Sequence, residues 1–253
     1  MNDLEKYFHD NIGPLIWKWQ HYFDIYDRYF APYRGKEVVI LEIGVFQGGS
    51  LSMWQSYFGP QAKIYGIDIN PDCRQFESEK VTIFIGNQSD KSFLQSVKKQ
   101  MPPIDILIDD GSHVVNHQIA TFLELYDHIA PNGIYLCEDL HTSYWHAFQG
   151  GYRKPGTFIE FAKQLVDSLH AWYSKEEAFK PDRYTTSMYS LHFYDSILVL
   201  IKRPMQSPKS LRSGNKTIAA DFPEDYNAVV PDVKKVPWWR YWGFELMKML
   251  GRR

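Results

Sequence analysis

The feature that most constrains this chain is a rhythm. Short runs of β-branched and aliphatic residues at 38–43, 63–69, 81–85, 104–108 and 134–137 alternate with helical patterns at 51–58, 91–100 and 115–129. Gly, Pro, Asn or Asp punctuate the junctions. The runs are apolar throughout instead of alternating, as strands must be when helices cover both faces of a parallel sheet. A doubly wound, Rossmann-like α/β core is therefore predicted. The rhythm then changes to a Gly- and aromatic-rich loop at 141–155, a helix at 158–172 and two strands at 188–193 and 196–202. Only Tyr194-Asp195 separates those strands, so they should form an antiparallel hairpin at one edge. The expected sheet has seven strands, mostly parallel.

Apolar residues at helical spacing before the first strand (Leu15, Ile16, Trp19, Phe23, Tyr26, Phe30) predict one or two helices interrupted at Gly13-Pro14. The expected organisation is a helical cap at 1–34, a core domain at 35–203, and an irregular segment followed by a Trp-rich basic helix at 204–253. In that tail Trp239, Trp242 and Leu246 form an apolar stripe beside Arg240, Lys248, Arg252 and Arg253. Packing against the core or a second subunit is favoured over peripheral membrane contact, and a homo-oligomer is expected.

Charge removes several function classes. With 28 basic and 30 acidic residues and no long basic tract, nothing draws the chain to nucleic acid. Cys73 and Cys137 stand at no zinc-binding spacing, which predicts reduced thiols in a cytoplasmic setting. The charged start lacks an apolar signal core, and the longest aliphatic run, 197–201, is far short of the ~20 residues that span a bilayer.

The first strand runs into Gly44-Val45-Phe46-Gln47-Gly48-Gly49-Ser50, with Ser50 expected to cap the following helix. Glycines at this place let backbone approach a nucleotide-like ligand and leave amides free at a helix start. Neither the G-x-G-x-x-G spacing nor a phosphate-loop Lys is present, which weakens dinucleotide and P-loop readings. Asp68, ending the second strand, can accept both hydroxyls of a ribose, and Glu42 can meet an ammonium directly or through water. These features suit S-adenosylmethionine, which has a ribose and an ammonium but no pyrophosphate. A tight turn is the rival explanation of the glycines. Asn87, Gln88 and Ser89 follow the third strand, where they could bond an adenine edge, although Ser89 or Asp90 could equally cap the next helix.

Acidic pairs end the next two strands, Asp109-Asp110 before Gly111-Ser112-His113 and Glu138-Asp139 before Leu140-His141. Carboxylates gathered at adjacent strand ends face one crevice and repel unless a cation joins them. An all-oxygen donor set suggests Mg²⁺. His113 stands where it can take a proton from a hydroxyl in that crevice. Helix capping is the plainer reading of either pair alone, and His117 can simply buttress His113.

The blocks Leu41-Glu42-Ile43-Gly44-Val45, Gly48-Gly49-Ser50-Leu51, Tyr65-Gly66-Ile67-Asp68-Ile69, Gln88-Ser89-Asp90, Asp109-Asp110-Gly111-Ser112-His113 and Glu138-Asp139 followed by Thr142-Ser143-Tyr144-Trp145 resemble the metal-dependent class I S-adenosylmethionine sugar O-methyltransferases. That group includes the mycinamicin, macrocin and rhamnosyl O-methyltransferases and the cephalosporin hydroxylase-like proteins. The resemblance covers residues 35–202. It implies the class I methyltransferase fold, Asp110 and Asp139 as Mg²⁺ ligands with Glu138 assisting, and His113 as general base. Gly44, Asp68, Gln88 and Ser89 are implied as cofactor contacts, beside Glu42, Gly48, Ser50 and Asp109 at the same strand ends. The implied acceptor is a sugar hydroxyl of a glycan, glycolipid or glycosylated natural product. His141, Tyr144 and Trp145 are expected to offer it flat surfaces, against the alternative of ordinary aromatic packing. Two rivals remain: an NAD(P)-dependent sugar oxidoreductase, for which no Tyr/Lys pair is found, and a non-catalytic scaffold in glycan synthesis.

Overall fold

The computed structural model describes residues 1–215 and 217. A seven-stranded sheet forms its centre, made of β1 (Val39–Ile43), β2 (Lys63–Asp68), β3 (Val81–Ile85), β4 (Ile104–Asp109), β5 (Ile129–Cys137), β6 (Met188–Phe193) and β7 (Leu198–Lys202). Their order is β3-β2-β1-β4-β5-β7-β6, with the first five parallel and β7 antiparallel to both neighbours. The predicted class I fold is observed. Helices α3 (Gly49–Phe58), α4 (Lys91–Gln100), α5 (Val115–Leu125) and α6 (Phe158–His170) follow α1 (Asp3–Asp10) and α2 (Tyr22–Phe30) along the chain.

Alternation within each strand divides the core into two layers. Ile40, Ile106, Ile108, Leu136 and Val199 face α1, α2 and α3, while Leu41, Leu107, Tyr135 and Leu200 face α4, α5 and α6. Leu4, Phe23, Tyr26 and Phe30 pack against Trp54 and Phe58 in the first layer. The N-terminal helices thus close one face of the sheet, and Met1–Pro208 form one compact unit. The chain beyond Pro208 falls outside that unit. The Trp-rich basic helix predicted at 236–253 lies outside the described residues. Among the described residues, no helix is long and apolar enough to cross a membrane.

Four local expectations are corrected. The apolar spacing at Leu15, Ile16 and Trp19 does not form helix, because Pro14 supplies no amide and restricts the residue before it; residues 11–19 run between α1 and α2 without regular structure. Ser50 is not the cap of α3, since Gly48 holds that place with φ 74° and Ser50 lies inside the first turn. The predicted helix at 115–129 ends at Leu125 in a short 3-10 turn, and β5 begins at Ile129 with a register shift against β4. The hairpin turn centres on Asp195-Ser196, closed by Tyr194 N–H to the Ile197 carbonyl (2.8 Å), so β7 starts two residues later than expected.

Candidate active site

Strand order reverses between β1 and β4, and in open α/β sheets the crevice beyond such a reversal holds the ligand. A cavity of about 740 Å³ lies there, lined by Gly44, Phe46, Asp68, Gln88, Asp110, His113, Glu138, Asp139, His141 and Trp145, with Trp17, Lys18, Trp19 and Tyr22 from the N-terminal side. Its size is ordinary for a small-molecule site. Gly44 makes it possible: its φ is 94°, and a Cβ would fall on the Asp110 carbonyl oxygen.

The cofactor candidates divide into two sets. Asp68 lines the cavity, with Oδ2 accepting the amides of Val45 and Phe46 (both 2.9 Å) and Oδ1 the amide of Asn70 (2.9 Å). It shapes the glycine loop as well as facing the cavity. Gln88 also faces it, yet its amide group is spent on a cross-link: Nε2 donates to Asp109 and Thr121 (3.1 Å each) and Oε1 accepts Ser112 N–H (2.7 Å). Glu42, Gly48, Ser50, Ser89 and Asp109 do not line the cavity. Glu42 is fully buried and accepts Ser50 Oγ–H (2.8 Å) and Trp54 Nε1–H (3.0 Å), on the face of β1 that packs beneath α3. Gly48 is packed on the Phe76 ring. Ser89 bonds Asn87, and Asp90 is the residue that caps α4. Asp109 accepts Gln88 and Tyr135; burial raises its carboxyl to about 7 against those bonds.

The second motif assembles as its spacing requires. Asp110 Oδ1 is 3.9 Å and Asp139 Oδ2 is 3.4 Å from His113 Nε2, and these three groups offer ligand atoms all within 4.8 Å of one another. Left-handed backbone at His113 (φ 56°) and Asp139 (φ 55°) turns both side chains into the crevice. Such conformations cost about 1–3 kcal/mol each in non-glycine residues and persist where surrounding structure holds them. Here Thr142 Oγ1–H donates to the His113 carbonyl (3.0 Å) and the Asp139 carbonyl (2.7 Å), tying the two turns together. Burial lowers the His113 pKa, opposed by Asp139 and Glu138, so the ring is neutral near pH 7. Its Nδ1 is buried with no hydrogen-bond partner among the described residues.

Three residues escaped the sequence reading. Lys18 Nζ pairs with Asp110 Oδ2 and donates to both oxygens of Glu138 (3.0 and 2.9 Å). Tyr26 OH donates to Glu138 (2.6 Å) and Tyr22 OH to Asp139 Oδ1 (2.7 Å). Burial raises the Asp110 carboxyl to about 7, with Lys18 the chief opposing influence; burial and Asp110 raise Glu138 to about 8 against Lys18 and Tyr26. Glu138 is therefore directed at Lys18 and lies outside the Asp110–His113–Asp139 group. At the mouth, His141 packs edge-on to Trp19 and Trp145 (ring centres 5.8 and 4.6 Å), whereas Tyr144 is exposed and does not line the cavity. His117 bonds Ser112 Oγ (2.8 Å).

Comparison with known proteins agrees with this geometry. Residues 41–140 match a family model described as a methyltransferase domain. The chain is 39% identical, over 76% of its length, to an 8-demethyl-8-α-L-rhamnosyl tetracenomycin-C 2'-O-methyltransferase of Streptomyces olivaceus, of which it covers 52%. It is 33% identical, over 89% of its length, to the mycinamicin VI 2''-O-methyltransferase of Micromonospora griseorubida, covering 56% of that protein. A solved structure of MycE methyltransferase, from the mycinamycin biosynthetic pathway, in complex with Mg, SAH and mycinamycin VI superposes with a TM-score of 0.72 at 32% identity. That match covers 80% of this chain and 54% of the other. The chain spans a little over half the length of the relatives it matches.

Proposed function

We propose that this chain, whose residues 41–140 match the methyltransferase-domain model, transfers the methyl group of S-adenosylmethionine to a sugar hydroxyl with help from a divalent cation, for which Mg²⁺ is the natural choice. The carrying observation is the convergence of Asp110, His113 and Asp139 within 4.8 Å at the strand-order reversal, facing a cavity that Gly44 and Asp68 also line. Mycinamicin and rhamnosyl tetracenomycin enzymes among its relatives support a sugar-bearing acceptor. The match of residues 41–140 to a methyltransferase-domain model favours this reading over the oxidoreductase and scaffold readings.

The donor set fits the cation: two carboxylates with one oxygen each turned toward a neutral imidazole, and room beside them for water or substrate. Asp110 and Asp139 would hold it. When bound, it would polarise the acceptor oxygen and lower the cost of losing its proton. The residues of the chain do the rest. Tyr22 fixes Asp139 Oδ1 and so leaves Oδ2 for the crevice. His113 Nε2 accepts the hydroxyl proton as the oxygen attacks the methyl carbon and the carbon–sulfur bond breaks, leaving neutral S-adenosylhomocysteine. Holding oxygen, carbon and sulfur in line supplies much of the remaining advantage. Trp145 and His141 offer the sugar ring flat and polar surfaces.

The reading is tested by incubating the protein with methyl-labelled S-adenosylmethionine, Mg²⁺ and a panel of rhamnosylated and other glycosylated acceptors. Label should enter a sugar hydroxyl, stop on chelation and return with Mg²⁺. Transfer that persists in excess chelator would reject the cation, and transfer to no sugar acceptor would reject the substrate class.

Asp68→Ala should weaken S-adenosylmethionine binding by about 1–3 kcal/mol, the range for bonds to a charged group. Asp68→Asn, which keeps an oxygen for the Val45 or Phe46 amide, should retain more of the loop's shape. Calorimetry giving the alanine variant wild-type affinity would remove Asp68 from the cofactor site.

A further inference from the structure

We propose that Lys18 is a latch: its ammonium competes with the divalent cation for the acid cluster and withdraws when the cation binds, opening the N-terminal strap over the cavity. The inference rests on the metal reading above and concerns how that site is entered.

Lys18 comes from the strap that joins α1 to α2. Residues 11–19 have no regular structure. Trp17 is 82% and Trp19 55% exposed, while the Lys18 side chain between them is only 3% exposed. A long cationic side chain buried between two exposed tryptophans reverses the usual preference of these residue types. The other anchors of the strap are Ile16, which is buried, the Pro14 and Leu15 carbonyls, which rest against Gly49, and Trp19, whose ring meets His141 edge-on.

The ammonium is stationed where a divalent cation would be most attracted. It engages both Glu138 oxygens and one oxygen of Asp110, the residue that also belongs to the Asp110–His113–Asp139 group. A divalent ion on Asp110 and the Lys18 ammonium on the same carboxylate would repel across a few ångströms of protein interior, where screening is weak. Withdrawal of Lys18 relieves the repulsion and frees Glu138 as a further ligand. It also returns a strongly hydrated ammonium to water. Because Trp17 and Trp19 line the cavity, moving Lys18 moves its wall. Metal would then bind before the acceptor.

The test uses Mn²⁺ alone, titrated into the full chain and followed by electron paramagnetic resonance, with hydrogen exchange of residues 14–20 measured in parallel. Lys18→Met should bind Mn²⁺ at least tenfold more tightly than wild type, and Lys18→Arg should not. Saturating Mn²⁺ should speed exchange at 14–20 in wild type, while in Lys18→Met that segment should exchange fast from the start. Thermal unfolding and S-adenosylmethionine binding by each variant establish that it is folded. If Lys18→Met binds Mn²⁺ no more tightly than wild type, or if Mn²⁺ binds wild type without changing exchange at 14–20, the latch is refuted and the metal site stands. If neither protein binds Mn²⁺, the metal reading fails and the latch with it.

Discussion

Replacing His113 with glutamine is expected to lower kcat by about 10²–10⁴-fold, the range for losing a positioned general base, with S-adenosylmethionine affinity nearly unchanged. Glutamine can still donate toward Asp139, so the crevice keeps its shape, but it accepts no proton at neutral pH. The wild-type pH profile checks the same role. Burial lowers the His113 pKa beneath its ordinary value of about 6.5. A base of that kind is unprotonated through the neutral range and is lost only as pH falls further. At saturating Mg²⁺, which keeps the Asp110 carboxyl ionised, the acid limb of kcat/KM should therefore lie below pH 6.5 and lose the His113 contribution in the glutamine variant. Near-normal turnover by His113→Gln would assign the histidine a structural role.

The parts of the fold that could be read from sequence are those governed by local pattern. β3, α4 and β6 appear at their predicted residues because each is bounded by punctuation its neighbours cannot override: Gly86 after β3, Asp90 before α4, and the Asp195-Ser196 turn beyond β6. The acid pairs were legible for a related reason, since parallel strands carry their terminal residues to one edge whatever helices lie between. Face assignment was harder. Glu42 sits one residue from the end of β1, and a period of two sends it under α3 instead of into the cavity. Lys18, Tyr22 and Tyr26 were lost because their partners are 92 to 120 residues away. In sequence they read as parts of an amphipathic helix. The available signal was Lys18 itself, a lone charge between two tryptophans just after Gly13-Pro14, where helical spacing should have been distrusted.

The steric requirement at Gly44 gives the other large expected effect, and a second glycine separates its two components. Gly44 and Gly59 both have positive φ, 94° and 92°, so alanine at either position incurs a backbone penalty of about 1–3 kcal/mol. Their surroundings differ. A Cβ at Gly59 would meet nothing within 4 Å, whereas at Gly44 it would strike the Asp110 carbonyl and the Gly111 Cα. Relief requires the loops after β1 and β4 to part, adding about 1–3 kcal/mol of overpacking cost. Gly44→Ala should therefore unfold at a lower temperature than Gly59→Ala, by roughly 2–4 °C per additional kcal/mol in a chain of this size. Function should divide in the same direction. Parting those loops displaces the segment that carries Asp110 and His113 relative to Asp139, so Mn²⁺ affinity and methyl transfer should fall sharply in Gly44→Ala and stay near wild type in Gly59→Ala. Equal losses in both variants would mean that backbone strain alone matters at Gly44, and that close approach of the two loops is not what holds the acids in place.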